Sequence, residues 1–169
     1  ISMTTKLTLL GTGNALATKC YNTCFALTSP NGCFLTDAGG GNGILTQLEK
    51  ASIAIPQIRW MFVTHGHTDH ILGVIWIIRL AASLSLRGQH NGLTIFCHDE
   101  CEEKLRTFCR MTLTKKLLGA LDNTVRFVRL QDGQNSTAGD FNCTAFDIHS
   151  TKMKQFGYRA QLPDGKTLV

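Results

Sequence analysis

The stretch Thr64-His65-Gly66-His67-Thr68-Asp69-His70 decides how this chain is read, because three imidazoles and a carboxylate fall within six residues. Packing does not account for such a run. Two apart in extended backbone, His65 and His67 project to the same side, and Gly66 between them lets the chain fold closely around an ion. Asp69 and His70 follow just past the turn and point back toward the same space. Neutral imidazole nitrogen and carboxylate oxygen are the donors that suit zinc or another divalent first-row metal. A lone histidine reads as a satisfied polar side chain; four such residues at this spacing read as a metal site.

Outward from this run, the flanks read as buried elements. Ile58 to Thr64 predicts a strand in which Trp60, Met61, Phe62 and Val63 are apolar in succession, the pattern of a strand covered on both faces. Ile71 to Leu86 is a 16-residue, largely apolar run containing Arg79. It falls short of the roughly 20 residues that cross a bilayer and reads as a buried helix, with both tryptophans, Trp60 and Trp76, in the core. Upstream, Lys6 to Leu10 enters a tight loop at Gly11-Thr12-Gly13-Asn14. Cys24 to Thr28 and Cys33 to Thr36 form a hairpin around Ser29-Pro30-Asn31-Gly32, and a helix through Ile44, Leu48 and Ile53 closes before Pro56. Downstream come a strand Leu93 to Cys97, a charged helix from about Asp99 to Leu118, and strands Val125 to Leu130, Phe141 to Ile148 and Gly157 to Leu162, with Gly165 to Val169 as a strand just begun. Strands at both ends with helices between them favour a layered α/β domain.

The 169 residues fit one domain with its own core; 43% are hydrophobic, 17% charged and only three are Pro, which excludes a disordered or fibrous chain. Seventeen basic against twelve acidic residues give a formal charge of +5, compatible with an anionic substrate. The seven cysteines form no CxxC pair, so they read as reduced, mostly buried small apolar residues. No export signal opens the chain, Ile1 and Ser2 ahead of Met3 read as a cloning remnant, and the expected location is cytoplasmic. The Gly39 to Gly43 stretch satisfies neither GxGxxG nor GxxxxGK[ST] and is not read as a phosphate cradle. Lys152 and Lys154 read as solvated, His98 as structural, and His90 in its polar loop as exposed.

These residues, in this order, resemble the metallo-β-lactamase fold superfamily of metal-dependent hydrolases. The opening strand with Gly11-Thr12-Gly13-Asn14, the Asn22-Thr23-Cys24-Phe25 strand start, Asp37-Ala38-Gly39, the HxHxDH loop, His149 at a strand end and Gly157-Tyr158-Arg159 carry the likeness. Among its branches the chain is most similar to ribonuclease Z-like and phosphodiesterase-like hydrolases. The resemblance implies an αββα layered sandwich, with residues 1–169 as one domain that lacks its C-terminal portion. It also implies two adjacent metals, the first held by His65, His67 and His149 and the second by Asp69 with His70. Zinc is the expected ion, one or two per chain, with Mn2+ or Fe2+ as substitutes. Asp37 reads equally as a hydrogen-bond partner to a ligand imidazole or as a turn-capping residue. Related diiron sites carry an acid where His67 stands, which disfavours a redox reading.

The chain departs from the family pattern in two places. In the family a Gly-Asp dipeptide whose Asp bridges both metals follows a strand like Gly165 to Val169, and a further His stands near the C-terminus; this sequence stops before both, so the expectation is a truncated piece or ligands supplied by another chain. Transfer-RNA 3′-processing enzymes of this fold carry PxKxRN where this chain has Ala17-Thr18-Lys19-Cys20-Tyr21-Asn22, matching only Lys19 and Asn22. That shifts the expected substrate from RNA to a small-molecule or nucleotide-like ester, with no membrane partner and a homodimer left open. The expected reaction is hydrolysis of a phosphodiester or related ester by attack of metal-bound hydroxide, with Asp69 orienting that hydroxide and accepting its proton. A thioester or lactam hydrolase, or a non-catalytic metal-stabilised module, remain the alternatives.

Overall fold

In the computed structural model, which describes residues 4–169, β4 (Ile58–Val63) lies in the middle of a six-stranded sheet and shows why its apolar residues are consecutive. Side chains alternate between faces along a strand. Met61 and Val63 enter a core shared with helices, while Phe62, with half-buried Trp60, faces a second sheet. The sheet runs β1 (Lys6–Gly11), β2 (Cys24–Ser29), β3 (Gly32–Thr36), β4, β5 (Leu93–Cys97) and β6 (Val125–Arg129). The first three strands are antiparallel, and β3 to β6 are parallel.

Helices α1 (Gly43–Lys50), α2 (Thr68–Ser85), α3 (Asp99–Thr112) and α4 (Lys115–Leu118) all contribute to the core on one face of this sheet. Against the other face stands an antiparallel sheet of β7 (Asn135–Ala138), β8 (Phe141–Asp147), β9 (Phe156–Gln161) and β10 (Thr167–Leu168), ordered β10-β9-β8-β7. Between the sheets Phe34 packs on Phe141 and Tyr158 at centroid distances of 6.1 and 5.3 Å, and the Tyr158 hydroxyl meets Thr36 Oγ1 at 2.6 Å. Among the described residues no helix contributes to this second core, so the layers are α, β and β. The expected outer helical layer is not among them.

α2 is 18 residues long and apolar enough, by length and composition, to cross a membrane. Ile71, Val74, Ile77, Ile78, Ala81 and Ala82 are instead buried against the sheet, as expected of a core helix. Trp76, expected in the core, lies off that stripe and is 38% exposed. His90, expected to be exposed, is buried: Gly92 N–H donates to its Nδ1 at 3.0 Å and its Nε2 meets the Ile58 carbonyl at 3.1 Å, so the ring tethers the loop to β4. Six cysteines are buried and Cys20 is exposed; burial pushes the thiols of Cys24, Cys33 and Cys143 up to about 12, which keeps them protonated.

The element boundaries differ from expectation for local reasons. The helix expected to reach Leu118 breaks at Leu113, whose backbone is extended, and Thr114 Oγ1 restarts it by accepting from Leu117 N–H. Ser52, in left-handed conformation at φ +57°, follows the end of α1, which stops short of Ile53. β7 carries no apolar alternation in Asn135-Ser136-Thr137 and pairs only as an edge strand, which hides it from a hydrophobic pattern. Ile1 and Ser2, read as a cloning remnant, lie outside the described residues.

Candidate metal centre

Where the parallel strands end, three loops meet. β4 stops at Val63, Thr64 to His67 run in non-helical backbone, and α2 begins with His67 as its N-cap residue (ψ +152°). The His67 side chain makes no capping hydrogen bond, and Asp69 occupies the first helical turn, where a negative charge suits the helix dipole. This turn brings the rings together: the His65 centroid lies 4.7 Å from that of His67 and 4.1 Å from that of His70. The Asp69 carboxylate lies 3.4 Å from His70 Nε2.

Asp37, just past β3, holds this cluster from behind. It adopts a left-handed conformation (φ +54°), tolerated by Asp more readily than by most residues, and this turns its carboxylate toward the histidines. Oδ1 accepts from Thr64 N–H at 2.9 Å, and Oδ2 accepts from the Thr64 hydroxyl at 2.7 Å. His70 Nδ1 lies 2.7 Å from the same Oδ2. Because a carboxylate only accepts, Nδ1 of His70 carries a proton. The Thr64 hydroxyl has given its one proton to Asp37, so at 2.8 Å it accepts from Nδ1 of His65. Both rings therefore carry hydrogen on Nδ1, and each neutral ring keeps the lone pair on Nε2 for an ion.

The electrostatics set the two rings apart, favouring the neutral form at His65 and the protonated form at His70, which gives up its Nε2 proton when it ligates. Burial, with His70 alongside, pushes His65 down to about 4, which keeps it neutral and able to ligate. Burial also lowers His70, but the hydrogen bond and charge of Asp37 outweigh it and hold this ring above its ordinary value. Asp37, His65 and His70 place one donor atom each within 4.8 Å of one another. With both its oxygens engaged, Asp37 fits the role of an orienting carboxylate rather than of a ligand. Asp37→Asn puts an amide where two donors need an acceptor and is expected to weaken zinc binding about 10- to 100-fold. Competition with a chromophoric chelator measures this; unchanged affinity would reduce Asp37 to a turn residue.

His149 stands apart from the three packed rings. It follows β8 by two residues, has φ +55° and an 82% exposed side chain, and its backbone N–H donates to Asp147 Oδ1 at 2.7 Å. Its loop nonetheless borders the cluster, because Phe156 N–H donates to the Thr64 carbonyl at 2.9 Å. His98, read as structural, is fully buried with Nε2 3.3 Å from Cys101 Sγ. Lys154, read as solvated, pairs with Asp99 at 2.7 Å. The Gly39 to Gly43 loop is clamped rather than open: Tyr21 OH bonds the carbonyls of Ala38 and Gly41, each at 2.8 Å, and Gly40 N–H donates to Asn22 Oδ1 at 3.0 Å.

Thr64 is the residue whose part the sequence did not disclose. A hydroxyl preceding the first histidine was visible, but that its single proton fixes the His65 tautomer follows only from the position of Asp37.

Fold and site together define the class: the chain has the metallo-β-lactamase fold with a candidate metal centre at the ends of its parallel strands, and it is similar to ribonucleases Z. Residues 5–166 match the family described as anti-Pycsar protein Apyc1, and the chain belongs to that family. A ribonuclease Z from Staphylococcus carnosus is 31% identical over 163 residues, covering 94% of this chain and 50% of that protein. The chain thus spans about half the length of the curated relatives it matches end to end. The metallo-β-lactamase fold protein YhfI from Bacillus subtilis superposes with a TM-score of 0.73 at 20% identity, over 96% of this chain and 61% of that one. The short form of human tRNase Z gives 0.71 at 21% identity, over 95% and 66%.

Proposed function

We propose that the whole protein hydrolyses a phosphodiester or related ester with the help of divalent metal ions, and that residues 1–169 act as one domain within it. The observation that carries this reading is the pair of Nε2 lone pairs, on His65 and His70, left free by the Asp37–Thr64 hydrogen bonds beside His67 and Asp69. That donor set, two neutral nitrogens with a further imidazole and a carboxylate alongside, fits zinc, with Mn2+ or Fe2+ as substitutes. In this reading His65, His67 and His149 hold a first ion, and Asp69 with His70 a second.

When bound, such ions acidify a water molecule and polarise the scissile oxygen. Asp69, placed at the start of α2, accepts the proton of the attacking water. Asp37 and Thr64 fix the tautomers and ring planes on which the donor set depends. The names of the relatives, ribonuclease Z and tRNase Z, support phosphodiester chemistry. The partial match at Lys19 and Asn22 favours a small nucleotide-like ester over RNA, in keeping with the chain's formal charge of +5. Assays of bis-p-nitrophenyl phosphate, a thioester and a cephalosporin, each with zinc or manganese, test the reading. Turnover of the phosphodiester that stops with chelator and returns with metal is the expected result; turnover of the thioester or cephalosporin alone would replace it.

A further inference from the structure

Lys104 reaches the candidate centre from α3, and the donor set does not account for it. A Cβ placed on Gly66 would lie 2.7 Å from its Cδ and 2.8 Å from its Nζ. The ammonium therefore rests over the backbone between His65 and His67, and Gly66 is the residue that leaves it room. Among the described residues its hydrogen-bond acceptor is the Met153 thioether, with Nζ to Sδ at 3.7 Å, and sulfur is a weak acceptor. An anionic partner stands nearby in sequence: Glu100, four residues earlier on the same helix, has the spacing and order that favour an ion pair. No such pair forms among the described residues, whereas the neighbouring Lys154 is matched by Asp99 at 2.7 Å.

A cation turned toward a site for divalent cations is repelled by its ligand-bound occupants unless an anion lies between them. The singly charged phosphoryl group of a phosphodiester is such an anion, and a lysine ammonium binds phosphate oxygen as a point charge. We propose that Lys104 binds a nonbridging oxygen of the substrate phosphoryl group and so selects phosphate esters over neutral esters. The proposal rests on the phosphodiesterase reading given above.

The test uses the zinc-loaded full chain, with inorganic phosphate as the probe in calorimetry and bis-p-nitrophenyl phosphate in kinetics. Lys104→Gln is expected to weaken phosphate binding about 10- to 100-fold and to raise KM more than it lowers kcat, with zinc content unchanged. Lys104→Arg restores most of the affinity, and Lys154→Gln, whose ammonium is already paired, stays within about twofold of wild type. Equal phosphate affinity in wild type and Lys104→Gln, no phosphate binding by the wild type, or loss of zinc from the variant would each overturn the proposal. Phosphate binding that depends on Lys104, in a protein that cleaves no phosphodiester, would uphold the anion site and remove only the assigned reaction.

Discussion

Replacing His65 with alanine is expected to lower kcat/KM for a phosphodiester by about three orders of magnitude and to deplete bound zinc. The magnitude follows from the chemistry a metal contributes, several kcal/mol of charge stabilisation, with each 1.4 kcal/mol or so worth a factor of ten. His65 is the ring on which the site converges: it packs on both His67 and His70 and is oriented by Thr64. Its loss removes a donor and leaves the Thr64 oxygen without its imidazole partner. The fold is expected to survive, because the large apolar side chains on both faces of β4 are untouched, and far-ultraviolet circular dichroism checks this. A folded His65→Ala protein that keeps full zinc and turns over within tenfold of wild type would place the metal elsewhere.

Gly73→Ala is expected to damage fold and site together. The first turns of α2 lie directly on the Asp37-Ala38-Gly39 loop: Ala38 N–H donates to the His70 carbonyl at 3.2 Å, and Gly73 N–H to the Gly39 carbonyl at 2.8 Å. A Cβ on Gly73 would overlap the Ala38 carbonyl oxygen and come within 2.6 Å of its carbonyl carbon. Backbone cannot swing aside as a side-chain tip can. Overpacking of this kind costs about 3 kcal/mol or more, on the order of 10 °C in melting temperature for a chain of this size. Because the displaced loop carries Asp37, zinc affinity falls with stability. Thermal unfolding and zinc titration on the same samples measure both; a melting point within about 2 °C of wild type would show that helix and loop separate freely.

The sequence was sufficient for whatever depends on neighbouring residues. The HxHxDH run marked its candidate donors because zinc chemistry restricts residue types, and the turn before α2 brings the three rings of His65, His67 and His70 into one space. The consecutive apolar residues of β4 disclosed a strand covered on both sides, and the hairpin of β2 and β3 disclosed itself through Pro30-Asn31-Gly32. The edge strand β7 stayed hidden because edge pairing asks for no apolar face. His90 and Trp76 were placed wrongly because burial is decided by what packs on a residue, and their partners are distant in the chain or missing from that face.

Tertiary structure alone decided which groups hold the candidate donors. Asp37 lies 33 residues from His70 in sequence and 2.7 Å from it in space, and only that juxtaposition turns an ambiguous turn aspartate into the group that sets two imidazole tautomers. Lys104 likewise looks like one more lysine on a charged helix until α3 brings it over Gly66. The physical reason is common to both. A ligand's identity is written in its own side chain, whereas its protonation, orientation and neighbouring charge are properties of groups that the chain brings together only when its sheets and helices close.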